Sequence, residues 1–506
     1  MNEFLLRNLS SPVTTSPEFK TLIKSKFGVN LSEGDDIKII KRAIDARNRN
    51  HLKFVYTVSL ITSKKLKPHN DIVIQQKPET RIRGIASKTL TPFIIGMGPA
   101  GLFAALELVQ YGIKPYLFDK GDDIDTRKLK VENFWKNKQL DPNSNVQFGE
   151  GGAGAFSDGK LTARTHNSET NDVFDWLIKF GADPDIAINA LPHLGTDKLV
   201  EIIKNIKKYL IEKGCKFFYN QTLTDLKIEN NKVQQITVNN QTYSPENLIL
   251  AVGNSSRDIF TLCVKKNIPI ESKPFAVGLR IEHDIDYINS TFYGEKNDFT
   301  ITGPASYKLI SKSAYSFCMC PGGFIIPANS EIDGQVVNGM SFSKRDNNYS
   351  NSAIVVSVNN GEGIPLKGMN LQHYLEKLYF KNFIAPSQNV KDFMNNELSK
   401  KLFNNSYCHG VIAENFASTL PKPVSDALKN ALIDFDKKYD GFINNGLFIG
   451  IETRTSSPVR IIRQINNFHS LNVTNLYPAG EGSGYAGGII SSATDGLRVA
   501  RAIAAG

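Results

Sequence analysis

The 506-residue sequence predicts an α/β protein in three parts: a βαβ domain opened near residue 91 and closed near residue 500, a mixed α+β domain inserted within it, and a small α+β domain in front. Three observations carry this reading. "TPFIIGMGPAGLFAALELVQYGIKPYLFDKG" (91–121) runs strand, glycine loop, helix, strand. A second loop, "GSGYAG" (482–487), comes after the strand-like "NLYPAG" and precedes one last helical stretch. The first 90 residues differ from the rest in charge and pattern, with 17 Lys plus Arg against 8 Asp plus Glu in a chain whose whole net charge is +10.

Composition narrows the class. With 41% hydrophobic and 22% charged residues, the chain can bury a large core and fill two or three domains of about 150 residues each. No apolar run reaches the roughly 20 residues of a membrane span. The start, "MNEFLLRNLSSPVTT", lacks the charged-then-apolar order of a signal peptide, so a cytoplasmic location is expected. Five cysteines, an odd number without framework spacing, are expected to be reduced thiols.

Residues 1–88 form the N-terminal domain. "EFLLRNL", the helical "SPEFKTLIKSKFG", then "IKIIKRAID" and "LKFVYTVSLI" read β-α-β-β. A solvated basic face is the plainer account of its charge, with a nucleic-acid footprint as the alternative. The proline-marked "KPHNDIVIQQKPETRIRGIASKTLTP" joins this domain to the βαβ unit.

In the βαβ unit each glycine has a mechanical task. Gly96 permits a tight turn, Gly98 lets backbone approach a pyrophosphate, and Gly101 lets helix and strand pack closely. Pro99 and Ala100 open the helix, whose free N–H groups face the phosphates. Asp119, with Lys120 beside it, ends the second strand where an acid accepts hydrogen bonds from a ribose diol. This is the Rossmann dinucleotide fingerprint. The same glycine spacing recurs in "GEGGAG" (149–154), which no strand precedes and no apolar helical period continues, so it reads as a loop. "GSGYAG" leaves no room for a second strand and ribose acid, and is expected to close the domain opened at Gly96.

Several long motifs then stand in one order: "QFGEGGAGAFSDGKL", "PHLGTDKL", "KPFAVGLRIEH", "FCMCPGG", "GIETRTSSPVRI" and "LYPAGEGSGYAGGI". On these the chain resembles the glutathione-reductase-type flavoproteins, and more closely the uncharacterised FAD-dependent dehydrogenases, from about residue 35 onward. The resemblance implies FAD as cofactor, a first FAD-binding part at 91–270, an inserted substrate domain at 271–444, and a closing strand and helix at 445–506. It places Gly151 and Gly152 along the pyrophosphate and flavin, Gly253 after the return strand, and Gly480 and Glu481 at the ribityl hydroxyls. Gly487, Gly488 and Ile489 then start the terminal helix beside the ring. Two departures are Asp119, where glutamate is usual, and Asn254, where "GHS" is common.

Chemistry beyond cofactor binding has fewer candidates. Arg454 and Arg460 in "ETRTSSPVR" stand shortly before the closing strand and suit a substrate carboxylate, charge on the reduced flavin, or an ion pair with Glu452 or another acid. Arg280 and His283 in "LRIEH" alternate on a predicted strand, Arg280 sharing a face with Glu282. Cys318 and Cys320 are expected on one face of a strand, a poor geometry for a disulfide, and with no partner pair no metal site is expected. The function expected is an FAD-dependent oxidoreductase, a dehydrogenase or reductase acting on a small organic substrate. With no second nucleotide domain, NAD(P)H would bind as a transient donor or not at all, and the electron donor is left open. The alternatives are a flavin-dependent RNA-modifying enzyme and a flavin-binding protein without turnover.

Overall fold

The computed structural model describes residues 2–74, 90–162, 168–358 and 363–505, and it is a mixed α/β protein. Most of the proline-marked joint, and the end of "AFSDGKLTAR", lie outside the described residues.

At the front, four antiparallel strands stand in the order Asp36–Asp45, Lys53–Thr62, Asn2–Pro12, Ile72–Ile74. The expected helix, Phe19–Phe27, covers one face with Ile23 buried among Leu6, Leu9, Val58 and Leu60, and Gly28 caps it at φ 70°. The strand Ile72–Ile74, inside the joint, adds a fourth member that alternation did not reveal.

A parallel sheet holds the middle of the molecule: Leu476–Pro478, Leu248–Leu250, Phe93–Ile95, Tyr116–Phe118, Lys216–Phe218 in that order. Its central strands are short and wholly apolar because helices or the meander cover both faces. The last strand of the chain pairs with Leu248–Leu250, next to the first strand of the unit, and the last helix, Ile489–Ala505, packs on Pro99–Gln110. The second glycine loop therefore belongs to the same sheet as the first. The expected meander (223–243) is present, and its tight turns use the left-handed pairs Asn230–Asn231 and Asn239–Asn240.

A second, mixed sheet of six strands runs Tyr315–Cys320, Tyr349–Val358, Phe275–Asp284, Leu447–Glu452, Ala385–Asn389, Val411–Ala413. Here the expected boundary at 444/445 needs correction. Leu447–Glu452 is an interior strand of the inserted sheet, hydrogen-bonded on both sides, and all six residues are buried. An apolar run reads alike in either domain, and only its pairing partners decide between them. A two-stranded ribbon, Ile270–Ser272 with Val459–Ile461, marks where the chain passes between the two sheets.

The N-terminal sheet is docked rather than free. Arg42 N–H donates to the Ile188 carbonyl at 2.7 Å, the Ala190 N–H returns to the Arg42 carbonyl at 2.8 Å, and the guanidinium reaches Asp185 and Asn189. Val13 and Leu52 are buried in the same apolar cluster as Phe292 and Tyr293 of the insert. Leu52→Ala is therefore expected to lower the unfolding free energy by roughly 2–5 kcal/mol, read as a shifted urea midpoint.

Candidate functional site

A cleft of about 380 Å³ runs from the first glycine loop to the inserted sheet. At one end, Gly96 turns at φ 103°, and a Cβ there would meet the Ala251 carbonyl oxygen at 2.3 Å. A Cβ on Gly101 would meet the Gly96 oxygen at 2.0 Å, so the helix sits as close to its strand as backbone allows. Gly98 is the N-cap and offers no side chain to the first turn, leaving those N–H groups for a ligand. Gly152 approaches the same point from the loop at 149–154: its Cβ would stand 2.9 Å from the Gly98 Cα. Gly151, at φ 87°, lies just behind the lining against Ile203.

Asp119 lines the cleft, and its carboxylate also ties the loop, accepting the Met97 N–H at 2.8 Å and the Gly121 N–H at 2.9 Å. Lys120 lies over the Phe148 ring at 4.1 Å and pairs with Asp258 at 3.3 Å. The loop bearing Gly149–Gly152 is held by Arg127, a residue that nothing in the sequence singles out. Arg127 is fully buried and donates to the carbonyls of Asn145, Val146, Gly149 and Glu150, with burial pulling its pKa down to about 10. No local pattern marks it, because its partners lie 18 to 23 residues on.

At the other end, Gly253, Glu481, Gly487, Gly488 and Ile489 line the cleft. Hypothetical Cβ atoms on Gly253, Gly487 and Gly488 meet nothing within 4 Å, so these glycines leave room that side chains would occupy. Gly480 lies behind, its N–H on Asp495 at 2.7 Å, and Arg463 fixes that aspartate with two hydrogen bonds. Asn254, the departure noted in the sequence, donates to Glu481 at 2.6 Å. Burial raises the Glu481 pKa from 4.5 to about 7, against the pull of Asn254 and Lys273.

The three candidates for chemistry separate. Arg454 lines the cleft, with Nε and Nη2 donating to the two oxygens of Glu376 at 3.0 and 2.8 Å and Nη1 to Ser330. The acid beside it is Glu376, on a helix 78 residues earlier, and not Glu452, which pairs with Arg280, while Arg460 pairs with Glu271. Arg280 is withdrawn from the cleft: its guanidinium is wholly buried behind the wall, bonded to Glu452, Asn351 and the Cys318 carbonyl. His283 is also outside it. Its Nε2 meets the Phe442 carbonyl at 2.9 Å, and burial lowers its pKa to about 4, which keeps it neutral. Alternation puts His283 on the face opposite Arg280, and that face packs into the insert's core.

The cysteines differ from the flat-strand expectation. A register shift between Phe317 and Cys320 puts Cys318 at φ 47°, so Cys318 lines the cleft while Cys320 is buried with its pKa pushed up to about 12. Both are free thiols, and no metal-holding cluster is present among the described residues. Two further lining residues, Asp158 and Lys160, stand in the motif "QFGEGGAGAFSDGKL", which by itself assigns them no role. Lys160 pairs with Asp158 and donates to the Met319 carbonyl, 159 residues away.

Comparison with known proteins defines the class. Residues 274–455 match the family described as FAD-dependent protein, C-terminal domain-like, and residues 8–61 match a domain of unknown function. FAD is accordingly the cofactor, and the glycine cradles and open lining described above fit it. A Clostridium beijerinckii protein described as uncharacterized is 42% identical over 500 residues, covering 94% of each chain, and this protein belongs to the same family. Among solved structures, glycine oxidase from Bacillus cereus is 12% identical over 82% of this chain and 95% of that one, with a TM-score of 0.31. A geranylgeranyl bacteriochlorophyll reductase-like protein from Thermoplasma acidophilum is 14% identical over 82% and 77%, with a TM-score of 0.35. Scores at this level carry no argument about this chain.

Two outcomes test the assignments. Gly488→Val sets a branched side chain in cleft space at φ 135°, so the purified variant is expected to hold less FAD per chain, read from flavin absorbance. In flavin-free protein, a carboxyl whose folded pKa is raised contributes stability below its unfolded pKa near 4.5 and loses it as pH rises through about 7. Glu481→Gln is expected to flatten part of that fall in the urea midpoint, while Glu282, which burial also raises to about 7, and Glu150, Asp175 and Glu452, which burial also raises, keep their shares.

Proposed function

We propose that this protein is an FAD-dependent oxidoreductase passing two electrons between its flavin and a small organic substrate, in the glutathione-reductase-type arrangement with NAD(P)H as a transient donor. One observation carries the proposal. A single cleft has the dinucleotide loop and the closing glycines on one wall and, on the other, the inserted-sheet residues Phe317, Cys318 and Glu452 with Arg454 just past the sheet. Bound FAD supplies the electron-transfer chemistry, and the chain supplies position, charge and exclusion of water.

The residues divide that work. Gly96 makes the turn, Gly98 and Gly101 keep side chains out of the way, and the helix opened by Pro99 and Ala100 turns the N–H groups of its first turn to the pyrophosphate, while Asp119 serves the ribose. Gly151 and Gly152 complete the phosphate side, while Glu481, held by Asn254, serves the ribityl chain. Gly253, Gly487 and Gly488 admit the ring. Arg454, fixed by Glu376, presents charge at the substrate wall.

The test is anaerobic. NADH or NADPH, offered to the FAD-loaded protein, is expected to bleach the flavin absorbance, and a discrete acceptor is expected to restore it. A flavin reduced by dithionite, yet by no member of a donor panel, would indicate binding without turnover and overturn the proposal.

A further inference from the structure

The inserted wall carries more positive charge than it neutralises. Lys160, Arg257, Arg280, Arg345 and Arg454 stand in it or directly behind it. Their acidic partners are Asp158, Glu376, Glu452 and the partly exposed Glu331. Glu452 answers Arg280 at 2.9 Å. Asp158 accepts two hydrogen bonds from Arg345, one from Lys160 and one from Ser341, and although burial works against it, Lys160 and Arg345 hold it ionised. Glu376 is shared between Arg454 and Arg257, which pull its pKa down to about 2 against burial. Glu282, on the same strand face as Arg280, is a further carboxyl, but burial raises its pKa to about 7 and it supplies only part of a charge at neutral pH. The five cations therefore outnumber the ionised carboxylates, in a wall where low dielectric makes an unmatched charge costly.

That charge faces the cleft. Of the five cations only Lys160 and Arg454 line it. Arg454 has five N–H donors and spends three on Glu376 and Ser330; Lys160 has three and spends two on Asp158 and the Met319 carbonyl. Asn338, also in the lining, takes the Gly339 N–H on its Oδ1 at 2.8 Å and has its amide N–H groups to give. The carboxylates of the same wall, Asp158 and Glu452, are countered by Arg345 and Arg280 from behind.

We propose that this wall is the seat of a substrate carboxylate, and that the substrate is a small organic acid held by Arg454 and Lys160 with Asn338 beside them. The inference rests on the flavin reading above and adds the chemical class of the substrate. Arg454 does not grip the acid by its Nε edge, which Glu376 occupies. It uses the two remaining donors, and Glu376 is the positioning residue that aims them. A neutral amide of the same shape brings no charge to match and sets its own N–H group against donors, so the seat discriminates against it.

The experiment titrates the FAD-loaded protein with acetate and benzoate, and in parallel with acetamide and benzamide, following the flavin absorbance spectrum. The acids are expected to shift the spectrum saturably and the amides not. Lys160→Met and Arg454→Lys are expected to weaken the acids at least about tenfold at unchanged FAD content, the loss of one charge-assisted hydrogen bond. FAD-loaded protein that responds to neither acid, responds equally to the amides, or binds the acids as tightly in both variants overturns the seat. Where a variant fails to fold, the acid-against-amide comparison on the wild-type protein decides. A wild-type protein that cannot be loaded with FAD defeats the flavin reading instead. The seat is then judged by whether benzoate, and not benzamide, raises the unfolding temperature of the flavin-free chain.

Discussion

The site depends on backbone meeting backbone around Ala100. A Cβ on Gly101 would lie 2.0 Å from the Gly96 oxygen, one on Gly496 would lie 2.1 Å from the Ala100 oxygen, and one on Gly480 would lie 2.7 Å from the Ala100 Cβ. Two of these obstacles are peptide atoms, which cannot turn aside as a side chain can. The contacts join the opening loop, the closing strand and the last helix, the first of them nearly 400 residues from the other two in the chain. Their closeness sets the width of the cleft and leaves the first helix turn open to a phosphate.

Around that corner, buried arginines act as struts. Arg127 spends its guanidinium on four carbonyls of one loop, and Arg463 spends its own on Asp495 and the Pro478 carbonyl. A planar group with five donors suits this task, since each bond to a backbone oxygen fixes a direction as well as a distance. Removing Arg127 would leave buried carbonyls short of donors, and removing Arg463 would leave Asp495 without its counter-charge, so their role is to hold loops in place rather than to react.

The insert adds chemistry by the same means. Arg280 neutralises the lining Glu452 from behind the wall, and Lys160 and Arg454 are the cations in front of it. On the proposed reading, cations presented at the far end of a flavin cleft favour anions there by electrostatics before any shape is considered. The break in alternation at Cys318 belongs to the same region: the bulged strand presents its carbonyl to Arg280 and its side chain to the cleft.

Whatever local chain geometry controls could be read from the amino acids alone. The glycine spacing of 96–101, the apolar strands of the parallel sheet, the helix and strands of the first 62 residues and the asparagine turns of the meander all come from φ preferences and periodicity over a few residues. Gly96, Gly98, Gly101 and Asp119 were legible for that reason, whereas Gly151, Gly152, Gly253, Gly480, Glu481, Gly487 and Gly488 came from the family resemblance. Packing between distant segments settled the rest: that Leu447–Glu452 joins the inserted sheet, that Arg280 and His283 are buried away from the cleft, and that Arg454 answers to Glu376. It also brought Lys160 into the same lining as Cys318. Each of these turns on which strand pairs with which, or on an ion pair spanning tens to hundreds of residues. An arginine in a sequence carries no mark of which distant carboxylate will neutralise it, so its availability to a ligand is a property of the folded wall alone.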